Sequence, residues 1–330
     1  MDSRAVIRTQ GLKKEYNGLL ALRPFHLQVP KQSVFGFLGP NGAGKTTLMK
    51  LLMGLLEPDE GRAEVLGMDV QQEGIEIKMR VGYLPQELHF YDQMTARDIL
   101  RFSAGLYIEG PEELITQRVE EMLTQAGLSD LADRRVGSFS RGEKQRLGIA
   151  QAQVHDPELL ILDEPAANLD PLGRKQVFSY LDSIRERTTI FFSTHILNDV
   201  ERICDRVAVL HRGSLAMEGE LEELLSRRSD PSYTMQLEGT PAELEAAETV
   251  CRGKPWMEDV KRELLHAEAG KASEKWTVSV NDETAAGEEL LRCILKTAGI
   301  NVLAYAKQKR GLEDLFEEIV TAGGDGTDEH

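Results

Sequence analysis

Cysteine is scarce in this 330-residue chain: Cys204, Cys251 and Cys293 are the whole set, far apart and without C-x-x-C spacing. That argues against a disulfide framework and a cysteine-held zinc, and fits buried thiols in a reducing compartment. Long apolar runs are missing too. Nothing approaches the ~18 residues of a membrane span, and the opening Met1-Asp2-Ser3-Arg4 lacks the apolar core of a signal peptide. The expectation is a cytosolic protein, or one peripheral to a membrane. Basic charge is also short. Lys and Arg number 39 against 55 Asp and Glu, a net charge of −16, which argues against a nucleic-acid surface. The acidity is uneven. Residues 221–330 carry 13 basic and 23 acidic side chains against 26 and 32 in the rest, and Arg228-Ser229-Asp230-Pro231-Ser232 has linker composition. The expected division is therefore 1–228 and 229–330.

What is present centres on Gly39-Pro40-Asn41-Gly42-Ala43-Gly44-Lys45-Thr46-Thr47, which fits G-x-x-x-x-G-K-[ST]. The apolar run Val34–Leu38 before it reads as a buried strand, and Leu48–Leu56 after it as a helix. Glycines allow successive backbone N–H groups to turn inward, and a helix N-terminus adds a positive dipole end, so phosphate is the expected guest. Lys45 would reach the β and γ phosphates, Thr46 would ligate Mg²⁺, and Thr47 would add a phosphate contact. Upstream, residues 5–10 read as a strand and Gly11–Gly18 as a turn, with Phe25–Val29 an antiparallel edge beside the Val34–Leu38 strand. Tyr16 is placed to stack on a nucleotide base, although a core position accounts for it equally on spacing alone.

Arg80–Glu87 reads as a strand ending in a proline turn with the amide Gln86. Thr95 to Gly127 has a helical pattern, broken near Pro111, with Thr95 and Asp98 spaced as a capping box. Ser138–Ala150 is a serine-glycine entry into a further helix, a second potential anion site, with Leu147 and Ala150 facing inward. Glu158–Pro165 reads as a strand buried on both faces that ends in Asp163 and Glu164. Strand C-termini in open α/β sheets face the ligand crevice, where Asp163 can hold Mg²⁺ and Glu164 can orient or deprotonate a water. Thr188–Thr194 is another buried strand, ending at His195, and residues 205–219 read as a hairpin turning at Arg212-Gly213.

With Lys45, Gln86, Ser140–Arg146, Asp163–Glu164, Asn168-Leu169-Asp170 and His195 in this order, residues 5–220 resemble the ATP-binding cassette (ABC) ATPase of transporters. Six ordered motifs are far more specific than a phosphate loop alone. The resemblance implies an α/β P-loop ATPase with an antiparallel β subdomain and a helical subdomain at about 95–155. It also implies ATP and Mg²⁺ as cofactors. Tyr16 would stack adenine, Gly39–Thr46 would grip phosphate and Mg²⁺, and Gln86 would sense the γ phosphate and join the Mg²⁺ shell near the membrane partner. Asp163 would support Mg²⁺, Glu164 would polarise the attacking water, and His195 would contact the γ phosphate. In that family Ser140 and Gly142 cap the ATP of the opposite subunit, while Asp170 lies at the dimer interface. Here Phe139-Ser140-Arg141-Gly142-Glu143 departs from the common Leu-Ser-Gly-Gly-Gln, which puts the hydrogen bonding at Glu143 in question and brings the Arg141 charge near polyphosphate.

The partners implied are a separate transmembrane permease and a second ATPase subunit, identical or different, with the chain held on the cytoplasmic face of the membrane. Two other readings stay open, a soluble non-transport ABC ATPase and a regulatory module that senses nucleotide without turning it over. The single phosphate loop disfavours the first of these in its two-cassette form. The short separation of Lys45 and Ser140 disfavours its coiled-coil form.

Beyond residue 229 the expected order is a strand at Tyr233–Leu237, a helix at Pro241–Val250, a hairpin of Asp259–Ala267 with Lys275–Val280, a helix at Glu283–Ala298 and a strand at Asn301–Lys307. That βαββαβ order suggests a small α+β, ferredoxin-like C-terminal domain of regulatory or assembly role. Trp256 and Trp276 read as packing residues. A last helix is expected at Leu312–Val320, and Gly311–Phe316 resembles the ending of ATPase subunits of multidrug-type exporters.

Overall fold

The computed structural model describes residues 5–167, 169–226, 232–268, 270–308, 312, 313 and 316. Most of the expected last helix therefore lies outside the described residues. The chain divides into two compact units, the first running to Glu222 and the second beginning at Glu223.

In the first unit, β1 (Ala5–Tyr16) and β2 (Leu19–Pro30) pair antiparallel, and with β4 (Glu60–Val65) and β5 (Met68–Asp69) they form a sheet in the order β2-β1-β4-β5. The expectation of a turn over Gly11–Gly18 is corrected here. β1 runs through it, because Gly11 at φ 58 sits in a register shift between Thr9 and Leu12, and only Asn17-Gly18 turns the chain. A second correction concerns β2, which belongs to this sheet and not to the edge of the next.

The next sheet is six-stranded and contains β3 (Val34–Leu38), β6 (Val81–Leu84), β7 (Leu159–Leu162), β8 (Thr189–Thr194), β9 (Arg206–His211) and β10 (Ser214–Glu220), in the order β10-β9-β3-β8-β7-β6. All pairs are parallel except the hairpin β9–β10. Every residue of β3, β7 and β8 is buried, which explains their continuous apolar runs. Phe35, Phe37 and Phe191 pack ring against ring, and each is fully buried, contributing roughly 1.5–3 kcal/mol apiece.

The helices of this unit are α1 (Lys45–Leu52), α2 (Gly74–Arg80), α3 (Ala96–Ala104), α4 (Glu112–Gln125), α5 (Arg141–Gln153), α6 (Pro171–Ile184) and α7 (Leu197–Ile203), and α8 (Leu221–Ser226) spans the division at Glu222. α1 starts at Lys45 and stops before Gly54 at φ 59, so it ends earlier than its apolar run suggests. Thr95 and Asp98 form the expected capping box on α3. Ile99 and Leu100 of α3, Met122 and Leu123 of α4, and Leu147 and Ala150 of α5 share one apolar cluster.

Between α5 and α3, His155 stacks on Tyr107 with ring centroids 4.1 Å apart. Burial, with the Arg118 guanidinium adding to it, holds the imidazole below its ordinary value of 6.5. The unfolded chain therefore binds the proton first, so this contribution is complete above pH 6.5 and is lost as the pH falls through the lower folded value. His155→Gln is expected to lose less stability than the wild type between about pH 7 and pH 5, read as the urea midpoint at each pH. An identical acid loss in both proteins would contradict this.

The second unit contains β11 (Ser232–Gly239), α9 (Pro241–Arg252), β12 (Met257–Glu268), β13 (Lys271–Val280), α10 (Glu283–Leu295) and β14 (Asn301–Gln308). Its antiparallel sheet has the order β12-β13-β11-β14. Alternation in β11 and β13 sends Tyr233, Met235, Leu237, Trp276 and Val278 into a core shared with Leu244 of α9 and Leu290 of α10. Trp256 and Trp276 are both buried. Arg262 lies over the Trp276 ring and bonds Glu274, whose carboxylate also accepts from the indole N–H, so the charges in this core are compensated.

Candidate functional site

The strand order of the six-stranded sheet assembles the site. β3, β8, β7 and β6 are successive parallel neighbours, so their C-terminal ends lie side by side. The glycine loop follows β3, His195 follows β8, Asp163 and Glu164 follow β7, and Gln86 follows β6. Residues scattered over about 150 positions of sequence thus meet along one edge, where open α/β sheets bind ligands.

The loop after β3 is held in its curve by Gly44, at φ 110, where a Cβ would fall 2.4 Å from the Ala21 carbonyl oxygen. No other residue fits there. Lys45, buried at the start of α1, donates to the carbonyl oxygens of Gly39 (2.7 Å) and Pro40 (3.2 Å) and lies 3.2 Å from a Glu164 carboxylate oxygen. The other Glu164 oxygen is 2.9 Å from His195 Nδ1. Glu164 adopts φ 52, a left-handed conformation costly for a residue with a side chain and typical of functional positions. Thr46 Oγ1 lies 3.5 Å from Gln86 Oε1. Tyr16, Asn41, Gly42, Gly44, Lys45, Thr46, Thr47, Gln86 and Glu164 line one cavity of about 310 Å³.

Asp163 is fully buried, and its Oδ1 accepts a hydrogen bond of 2.6 Å from Ser193 Oγ. The same Ser193 hydroxyl accepts from the Glu164 backbone N–H at 2.9 Å. Asp163 Oδ2 has no hydrogen-bond partner among the described residues. Burial, reinforced by the Asp163 carboxylate, pushes the nearby Tyr83 hydroxyl up to about 12. Ser193 is a site residue that sequence reasoning passed over. A hydroxyl after two buried phenylalanines needs a polar partner, and that requirement could have pointed to it.

Tyr16 stands at the end of β1, half-exposed, with the Lys14 ammonium over its ring at 5.6 Å. Lys14 is pinned by Asp59, which also accepts from the Glu15 backbone N–H. Tyr16 is therefore a surface ring beside the cavity and not a core residue.

Ser140, Arg141, Gly142 and Asp170 lie elsewhere, lining a separate cavity of about 340 Å³ with Arg146, Leu169, Leu172, Gly173 and Gln176. Ser140 caps α5: its Oγ accepts from Glu143 N–H, and Glu143 accepts from Ser140 N–H at 2.6 Å. Asp170 caps α6 through Gly173 N–H. Asn168 falls outside the described residues.

A family model described as ABC transporter matches residues 22–167. The ATP-binding protein YxlF of Bacillus subtilis is 33% identical over 96% of this chain and 100% of its own length. This chain belongs to the ABC transporter ATP-binding proteins. Like them it is an ATPase of the cassette fold. The bacitracin transport ATP-binding protein BcrA of Enterococcus faecalis is 31% identical over 97% of each chain. Among solved structures, cbiO1 of Clostridium perfringens, part of the complex cbiONQ, is 27% identical, covering 76% of this ABC protein and 96% of that chain with a TM-score of 0.61. No helix among the described residues is long and apolar enough to cross a membrane.

Proposed function

We propose that this ABC protein is the ATP-hydrolysing subunit of an exporter, in which two copies close over two ATP molecules and drive a separate transmembrane permease. The observation that carries the reading is the split site. Lys45, Glu164, His195 and Gln86 share one strand-end edge, while Ser140, Gly142 and Asp170 line a cavity of their own. Such a surface serves ATP only when a second chain presents it. Likeness to a bacitracin transport protein, together with the Gly311–Phe316 ending, favours export. The chain then sits on the cytoplasmic face through the permease.

Thr46, Gln86 and Asp163 are the residues that would hold Mg²⁺. The unpartnered, buried Asp163 Oδ2 suits a cation, and the described residues contain no group of three or more His, Cys, Asp or Glu arranged to hold a metal ion by themselves. The set fits a metal bound chiefly through phosphate. That ion would neutralise developing phosphate charge. Lys45 supplies a point charge to the β and γ phosphates, and Tyr16 stacks the base. Glu164 accepts the proton of the attacking water, while His195 holds the carboxylate in place and faces the γ phosphate. At the other surface, Ser140 Oγ accepts from its own helix, which leaves its proton free to donate to a phosphate oxygen. Glu143 is engaged by the capping box, so it supports α5 instead of opposing the phosphate.

A Cβ at Gly142 would meet nothing nearer than 3.8 Å within the chain. Gly142→Asp is therefore expected to fold with an unchanged melting temperature, yet to lose ATP-driven dimerisation and at least about 90% of phosphate release through charge repulsion. Wild-type turnover in this variant would refute the reading of Ser140–Glu143. Affinity purification from membranes should also recover a transmembrane subunit. Phosphate release that stays absent in saturating Mg-ATP with that subunit present would favour a nucleotide sensor.

A groove of about 420 Å³ beyond Gln86, lined by Leu88, Phe90, Leu106, Tyr107 and His155, is read as the permease seat. The second unit is read as a ferredoxin-like assembly or regulatory module. Its βαββαβ order, with β11 and β13 central, supports that reading.

A further inference from the structure

Asp199 is a buried carboxylate to which the hydrolytic scheme assigns no role. It lies in the first turn of α7, four residues beyond His195, and is 5% exposed. One of its oxygens accepts from Arg174 Nη2 at 2.5 Å, and the other accepts from Thr194 Oγ1 at 3.2 Å. Thr194 Oγ1 in turn accepts from the Ile196 backbone N–H at 3.0 Å. His195 lies between Thr194 and Ile196, so a single hydroxyl fastens the backbone on both sides of it. That hydroxyl has one proton, and the carboxylate claims it, which leaves the lone pairs aimed at Ile196 N–H. A buried carboxylate is unfavourable unless paired and hydrogen-bonded, and here every contact is directed at the His195 loop or at α6. Arg174 belongs to α6, the helix that Asp170 caps and whose first turn, Leu172 and Gly173, lines the second cavity.

We propose that Arg174, Asp199 and Thr194 are positioning residues that hold His195 against Glu164 and tie that contact to the setting of α6. The relay runs inside one chain. It connects the surface at Asp170 and Gly173 to the 2.9 Å contact between His195 and Glu164. It rests on the reading that His195 and Glu164 act on the γ phosphate. Closure against a second copy, which would press on the first turn of α6, would thereby set the imidazole for hydrolysis without moving the phosphate loop. The relay should affect turnover and leave ATP binding alone.

The test uses the full chain with Mg-ATP and compares Thr194→Val, Thr194→Ser, Arg174→Met and Arg174→Lys, with His195→Ala as reference. Thr194→Val and Arg174→Met are expected to lower kcat about tenfold or more, because geometry and not affinity is disturbed, with KM within about twofold of wild type. Thr194→Ser keeps the hydroxyl and Arg174→Lys keeps the charge, so both should retain most of kcat. Should Thr194→Val fail to fold, the Arg174 pair decides the matter from the partly exposed side of the contact. A slow His195→Ala beside wild-type kcat in Thr194→Val and Arg174→Met would overturn the relay and leave the site reading intact. Equal losses in Thr194→Ser and Thr194→Val, or a change confined to KM, would also overturn it. A His195→Ala chain hydrolysing at the wild-type rate would instead remove the reading on which the relay rests.

Discussion

Replacing Glu164 by Gln is expected to lower ATP turnover by about 10²–10⁴-fold, the usual contribution of a positioned general base, while ATP stays bound at least as tightly as in wild type. The amide keeps the shape of the carboxylate, so the loop at φ 52 and the neighbourhood of His195 are retained. What disappears is the proton acceptor and one negative charge. That charge lies 3.2 Å from the Lys45 ammonium, so its loss releases Lys45 for the phosphates and removes repulsion toward them. The variant should therefore accumulate with ATP and without product. Phosphate release under single-turnover conditions, with nucleotide binding measured by calorimetry, separates the two effects. A Glu164→Gln chain that hydrolyses at the wild-type rate would end the assignment of Glu164.

Lys45→Ala acts in the opposite direction, on binding before chemistry. Lys45 is buried and donates to the carbonyl oxygens of Gly39 and Pro40, which places its ammonium inside the loop. A charge-assisted contact of this kind is worth about 1.5–3 kcal/mol, so ATP affinity should fall about 10- to 100-fold. Phosphate release should become undetectable beside that of wild type. The change also leaves the carboxylate of Glu164 with His195 alone, so part of any loss in stability would come from the missing lysine countercharge beside that buried carboxylate. The melting temperature without nucleotide measures that part, and titration with ATP measures the rest. Unchanged ATP affinity would contradict the role given to Lys45.

Much of this site is legible in the sequence because its chemistry is tied to short stretches whose flanks report their own secondary structure. The buried runs Val34–Leu38, Leu159–Leu162 and Thr189–Thr194 announce parallel strands, and the candidate site residues follow each run directly. The capping patterns at Thr95 and Ser140 likewise mark two helix starts. Two kinds of feature escape such a reading. The path of β1 through Gly11 does so because a glycine amid polar residues reads as a turn, while a bulge depends on the partner strand. The polar contacts behind the site, Ser193 to Asp163 and Arg174 to Asp199, escape because they join residues 30 and 25 positions apart. Only the sheet order brings them together. The relation of the two cavities is illegible for a further reason. One chain contains both halves of the proposed site, but under the proposed function the half-sites that would serve a single ATP belong to different copies.

That division is the centre of the account, and light scattering on the Glu164→Gln chain tests it most directly. In Mg-ATP the measured mass should double relative to the nucleotide-free protein, and adding Gly142→Asp to the same chain should restore the single mass. A mass that ignores ATP, or a doubling that survives Gly142→Asp, would contradict the claim that a second copy completes the site.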